Sequence, residues 1–172
     1  MGVSWRPSGK DSKKLYVRLY VVLLNLQNIS LRQEQKEAIR NIVVLKKDTL
    51  IILPTGFGKS LIFQLLPFVF DSWIGASHSF ILVVSPLNAF TMRDQTVKLN
   101  DLQVSCLMVR NTESISESEL TNIKQCKYRI IYCHPEAFVG KLRKLLDRDE
   151  VRRNMRAVVI DEAHLIVECQ VQ

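Results

Sequence analysis

Apolar residues along this chain follow two rhythms. From Leu31 to Lys46 they recur at Leu31, Ala38, Ile39, Ile42, Val43 and Leu45, the spacing that lines one face of a helix. Ser30, with Gln33 three residues on, offers a capping-box start for that helix. The period then changes. Five short runs rich in β-branched residues follow, at Thr49–Leu53, Phe80–Val84, Val104–Val109, Tyr128–Tyr132 and Ala157–Ile160, and runs of this kind read as strands. Between them lie stretches of helical character: Lys59–Phe70, Asn88–Asn100, roughly Ser116–Lys124, and Pro135–Leu146. Strand alternating with helix predicts an α/β fold, with a mainly parallel sheet covered by helices.

Upstream of this pattern, Met1 to Lys14 is polar and basic and reads as a flexible lead-in. Leu15 to Leu26 is apolar apart from Arg18 and Asn25. It is shorter than the roughly 20 residues that span a bilayer and lacks a small-residue cleavage site. The expectation is a partly buried helix and linker over 15–30, ahead of a domain over 31–172, with no membrane partner. At 172 residues, 47% hydrophobic and 24% charged, the chain has the composition of one globular domain. A net charge of +7 favours acidic partners, nucleic acid first. The four cysteines, Cys106, Cys126, Cys133 and Cys169, form no C-x-x-C pair. They read as reduced thiols, and Cys126, Cys133 and His134 lack a fourth ligand at a metal-binding spacing.

The strongest chemical signal is Leu53-Pro54-Thr55-Gly56-Phe57-Gly58-Lys59-Ser60 followed by Leu61. It lies between an apolar run and a helical stretch, which is the layout of a phosphate cradle. Gly56 and Gly58 let the backbone bring its N–H groups close to an anion. A helix starting near Lys59 aims its unpaired N–H groups and dipole at the same place. Lys59 would then reach the β- and γ-phosphates of ATP, and Ser60 would coordinate Mg²⁺. The second signal is the apolar run ending in Asp161-Glu162-Ala163-His164. Asp161 can hold the same Mg²⁺, while Glu162 polarises the water that attacks the γ-phosphate. The turns after the other runs, Ser85-Pro86 and His134-Pro135-Glu136, collect on the carboxyl edge of such a sheet, where ligands bind.

These stretches together resemble the first motor domain of superfamily-two helicases, and most closely the RecQ-like DNA helicases. The matching residues are Leu31-Arg32 with Gln35, the Leu53–Ser60 cradle, Val84-Ser85-Pro86-Leu87 with Asp94-Gln95, Tyr132 with Pro135-Glu136, and Asp161-Glu162-Ala163-His164. They occur in the family's order and cover Leu31 to about Glu168. The resemblance implies a RecA-like P-loop NTPase fold and ATP-dependent DNA unwinding by the complete protein. It implies that Gln35 reads the adenine edge, that Arg32 stacks on its face, and that Lys59, Ser60, Asp161 and Glu162 act as described. Ser85, Pro86, Asn88, Gln95, His134, Pro135 and Glu136 would lie toward a single-stranded or forked DNA. His164 would couple that track to the nucleotide, and the location would be nuclear.

Two readings compete with a DNA helicase: a non-enzymatic module that binds ATP or nucleic acid, and an RNA helicase of the same superfamily. Three differences from the family carry expectations. Asn28 stands where an aromatic residue flanks the adenine, and Cys169 stands where a tryptophan senses DNA. The strand that carries the family's next motif is not present before Gln172, so a C-terminally truncated, incomplete sheet with unpartnered edges is expected. Taken singly, Gln35, Ser85-Pro86 and Pro135-Glu136 are also ordinary helix residues or helix starts. The basic run Lys141, Arg143, Lys144, Arg148, Arg152, Arg153 and Arg156 is a solvated face or a nucleic-acid contact.

Overall fold

In the computed structural model the chain divides into two units, Met1–Ala76 and Ser77–Gln172. The structure describes residues 30–86, 99, 104–111, 115–138 and 142–162.

In the first unit, α1 (Gln33–Val43) buries Gln35, Ala38, Ile39 and Val43, the helical face that the apolar spacing predicts. It packs on α2 (Lys59–Ile74). Its cap is not Ser30 but Arg32, whose extended backbone (φ −70°, ψ 161°) turns the chain into the helix. The N–H of Arg32 is taken by the side chain of Gln35, three residues on, so the capping logic holds two residues later than expected. Buried Ile62, Phe63, Leu65, Leu66, Pro67 and Val69 make α2 apolar over much of its circumference. It continues past Pro67, which supplies no N–H to the helical ladder. The run Thr49–Leu53, expected as a strand, forms none. Leu50 and Ile52 are 81% and 83% exposed. Strand propensity describes a fit to a pleated, half-buried surface, and without a ladder partner it yields only extended chain.

The second unit holds four strands: β1 (Phe80–Val84), β2 (Cys106–Val109), β3 (Ile130–Cys133) and β4 (Met155–Ile160). All pairs are parallel, in the order β2-β3-β1-β4. The helix α3 (Glu117–Lys124) connects β2 to its neighbour β3 and starts on a capping box in which Ser116 accepts from the Glu119 N–H at 3.2 Å. One-turn helices α4 (Pro135–Ala137), α5 (Arg143–Leu146) and α6 (Asp149–Arg152) lead from β3 to β4. Over the span Pro135–Leu146, expected as a single helix, residues 135–138 and 142–146 are helical and 139–141 lie outside the described residues. The expected helix Asn88–Asn100 and the segment 1–29 lie outside the described residues, apart from Leu99.

The core follows from register. Leu82 pairs with Ile131 and Val158, and Val84 with Cys133 and Ile160, so these side chains share one face. Phe80, Leu82, Val84, Leu107, Val109, Ile131 and Cys133 on that face pack with Ile123 of α3, Leu145 and Leu146 of α5 and Val151 of α6. All five residues of β1 are buried, as a central parallel strand requires. On β4, Val158 and Ile160 remain 48% and 57% exposed, since β4 is an edge of the described sheet. This is the parallel α/β sheet flanked by helices that the strand and helix pattern predicts, and it is consistent with the RecA-like fold that the resemblance implies.

Candidate functional site

The loop between Leu53 and α2 is built by backbone geometry. The Phe57 N–H donates to the Pro54 carbonyl at 3.2 Å. Gly56 and Gly58 take the left-handed conformation, with φ of +79° and +77°. Two such residues within three positions reverse the chain into the helix, at little steric cost only because both are glycine. Gly58 caps α2, and its carbonyl accepts from Leu61 N–H at 3.2 Å. The first N–H groups of α2, at Lys59 and Ser60, have no partner within the helix. The Lys59 ammonium donates to the Leu53 carbonyl at 2.9 Å, which ties it across the mouth of the loop.

A second set of contacts joins the loop to the start of α1. Gln35 is 3% exposed. Its Nε2 donates to the carbonyls of Phe57 (3.0 Å) and Gly58 (3.1 Å), while its Oε1 accepts from the Arg32 N–H (2.8 Å). Both amide hydrogens are therefore used by the loop. The approach is close enough that a Cβ at Gly58 would lie 2.7 Å from Gln35 Nε2, whereas one at Gly56 would meet nothing within 4 Å. The Arg32 guanidinium lies over the Phe57 ring, 4.2 Å from its centroid.

In the second unit, the polar turns stand along the carboxyl edge of the sheet, each pinned to its neighbour. His134 N–H donates to Val109 O (3.1 Å), Ser85 N–H to Cys133 O (3.0 Å) and Asp161 N–H to Val84 O (2.9 Å). The order across the edge is therefore Arg110-Asn111, His134, Ser85, Asp161. Ser85 is buried. His134 Nδ1 bonds the Glu136 carboxylate, and this bond is the main cause of a Glu136 pKa below its ordinary value of 4.5. Glu162 has φ +52°, uncommon for a residue with a side chain, and its N–H donates to Asp161 Oδ1 at 3.1 Å.

The sequence-derived set thus divides by unit. Arg32, Gln35 and the 54–61 loop form one assembly, while Ser85, Pro86, His134, Pro135, Glu136, Asp161 and Glu162 form another. Asn88, Gln95 and His164 lie outside the described residues, as do Asn28 and Cys169. Among the described residues, no group of three or more His, Cys, Asp or Glu side chains converges as a metal cage. Ser60 in the first unit and Asp161 in the second each carry an oxygen of the hard-donor kind that Mg²⁺ takes. Sequence reasoning missed Arg110-Asn111. A polar pair directly after the third apolar run was the available signal.

The family model for the DEAD/DEAH box helicase matches residues 32–171. The chain belongs to the DEAD/DEAH box helicase family. Within it, the chain is 32% identical to the bifunctional 3'-5' exonuclease/ATP-dependent helicase WRN of Mus musculus over 81% of its own length and 9% of that relative's. It is 30% identical to the ATP-dependent DNA helicase RecQ of Bacillus subtilis over 78% of this chain and 21% of RecQ. It is 35% identical to a putative ATP-dependent RNA helicase, R290, of Acanthamoeba polyphaga mimivirus over 78% of this chain and 23% of R290. The chain therefore spans between 9% and 23% of the length of these relatives. The family match begins at Arg32, so it takes in both the Arg32–Gln35 helix start and the Gly56/Gly58 loop. Among the described residues no helix is long and apolar enough to cross a membrane.

Proposed function

We propose that this chain is the ATP-binding half of a RecQ-like, ATP-dependent DNA helicase, with its motor domain over 31–172 and a helix and linker over 15–30. The observation that carries the reading is the Gly56/Gly58 loop, which holds Lys59 at the start of α2 and is braced from behind by Gln35. Lys59 leaves the Leu53 carbonyl for the β- and γ-phosphates, and the N–H groups at the head of α2 cradle the same oxygens. Arg32 stacks on the adenine and Gln35 reads its edge. Since both Nε2 hydrogens of Gln35 are held by loop carbonyls, donating to the base would release one of them, which ties base recognition to the shape of the cradle.

Ser60 and Asp161 would hold Mg²⁺, which when bound neutralises charge on the phosphate oxygens. Glu162 orients and deprotonates the attacking water. Ser85, Pro86, Asn88, Gln95, His134, Pro135 and Glu136 face a single-stranded or forked DNA, with contacts mainly to phosphate. His164 passes the nucleotide state to that track. A nuclear location rests on the family resemblance.

ATP binding by the full chain, beside Lys59→Ala, tests the reading. Saturable, Mg²⁺-dependent binding that raises the melting temperature, and is lost in the variant, supports it. Binding unchanged by Lys59→Ala refutes it. The likeness to R290 supports an RNA helicase as the second reading. Stimulation of ATP hydrolysis by single-stranded RNA above that by single-stranded DNA, at one stated salt concentration, would favour that alternative.

A further inference from the structure

The phosphate loop carries a large aromatic side chain at a position where the cradle asks only for backbone. Phosphate oxygens are held by N–H groups and by Lys59, and the side chain of Phe57 has no part in that. Its ring instead lies beneath the Arg32 guanidinium at 4.2 Å, well within the roughly 6 Å over which a cation is drawn to an aromatic face.

We propose that Phe57 is a positioning residue for the base: its ring holds the Arg32 guanidinium flat and ready to stack, so that base preference depends on a side chain of the phosphate loop. The proposal rests on the reading of Arg32 and Gln35 as the base-recognising pair. A guanidinium is planar and stacks through either face. Phe57 covers one face, and the other faces away from the ring, where a purine completes a three-layer stack of ring, guanidinium and base. Arg32 is otherwise an exposed side chain with several free torsions, which base binding alone would have to order. A ring already in contact orders it beforehand.

The placement of Phe57 is itself determined. Its N–H is bound to Pro54 O and its carbonyl to Gln35 Nε2, while Gln35 Oε1 holds the Arg32 N–H. Arg32, Gln35 and Phe57 therefore form a closed circuit in which each residue touches the other two. Moving the loop moves the ring, and moving the ring moves the guanidinium. An apolar residue of similar bulk would fill the same space but offer no π face, which separates this role from simple shielding.

The test is equilibrium binding of ATP and of inorganic tripolyphosphate to the full chain in Mg²⁺, with melting curves for each variant. The wild type is expected to bind ATP more tightly than tripolyphosphate. Phe57→Leu should lose about two- to fivefold in ATP affinity, the scale of an exposed cation–π contact, and leave tripolyphosphate affinity unchanged. Phe57→Tyr, which keeps the face, should match the wild type. Arg32→Lys, which keeps charge but not the plane, should resemble Phe57→Leu, and the double variant should lose no more than either alone. Equal loss of ATP and tripolyphosphate affinity in Phe57→Leu would overturn the proposal, since the ring would then shape the cradle itself. Unchanged ATP affinity in Phe57→Leu would overturn it too. A wild type that binds ATP no better than tripolyphosphate would instead remove the base-recognition reading, and this proposal with it.

Discussion

Replacing Gly58 by alanine should be far more damaging than the same change at Gly56, two residues away in the same loop. Both glycines are left-handed, at +77° and +79°, so both substitutions carry the steric cost of that conformation, about 1 kcal/mol. Only at Gly58 does the new methyl meet something: Gln35 Nε2 at 2.7 Å. The buried Gln35 amide has to withdraw, and it makes three hydrogen bonds, two to loop carbonyls and one to the Arg32 N–H. At a net value of about 1 kcal/mol each, losing two of them makes Gly58→Ala about 2 kcal/mol worse than Gly56→Ala. Urea unfolding followed by tryptophan fluorescence, to which Trp73 of α2 contributes, measures both. The two changes combined with Gln35→Ala complete the argument. With no amide to displace, Gly58→Ala should cost no more than Gly56→Ala does. Costs at the two glycines that agree to within about 0.5 kcal/mol in the wild-type background, or strict additivity with Gln35→Ala, would refute the close approach as the cause.

Leu82→Ala, at the fully buried centre of β1, should destabilise the second unit by about 2–5 kcal/mol in urea unfolding; a loss under about 1 kcal/mol would mean that the sheet repacks around the gap. Glu136 should titrate below 4.5 because of its bond to His134, and a carbon-detected NMR titration should show His134→Ala moving it back up. Because the folded pKa is the lower one, any stability from this pair is present above 4.5 and disappears as pH falls through the depressed value. The effect is small, since the pair is largely exposed.

Much of the fold was legible because burial on both faces leaves a plain mark. Phe80–Val84 is an unbroken apolar run, and β1 occupies those five residues. Thr49–Leu53 carries the same mark yet is not a strand, because a run of β-branched residues specifies compatibility with a sheet and not the presence of a partner. α1 starts two residues later than the cap rule predicts, since Ser30 satisfies that rule while the actual cap uses the Gln35 side chain. The glycine cradle was legible because left-handed turns need glycine. The bracing of that cradle by Gln35 was not, as its partners lie 22 and 23 residues away and a glutamine on a helix says nothing of where its amide reaches. The ring contact of Phe57 was hidden for the same reason.

The parallel pairing around β1 bears on how the chain is made. β1 is the first strand of the sheet to leave the ribosome, and it gains its two neighbours only when β3 and then β4 have followed. At roughly 5–20 residues per second, a strand that is apolar on both sides waits on the order of ten seconds for its last partner. Local helices form in microseconds during that interval, but they cannot shield the bare edges of β1. Biogenesis of this sheet is therefore governed by non-local closure. Translation pauses between Val84 and Ile160, or scarcity of chaperones that cover nascent apolar strands, would limit the yield of folded protein well before any weakness of the finished core did.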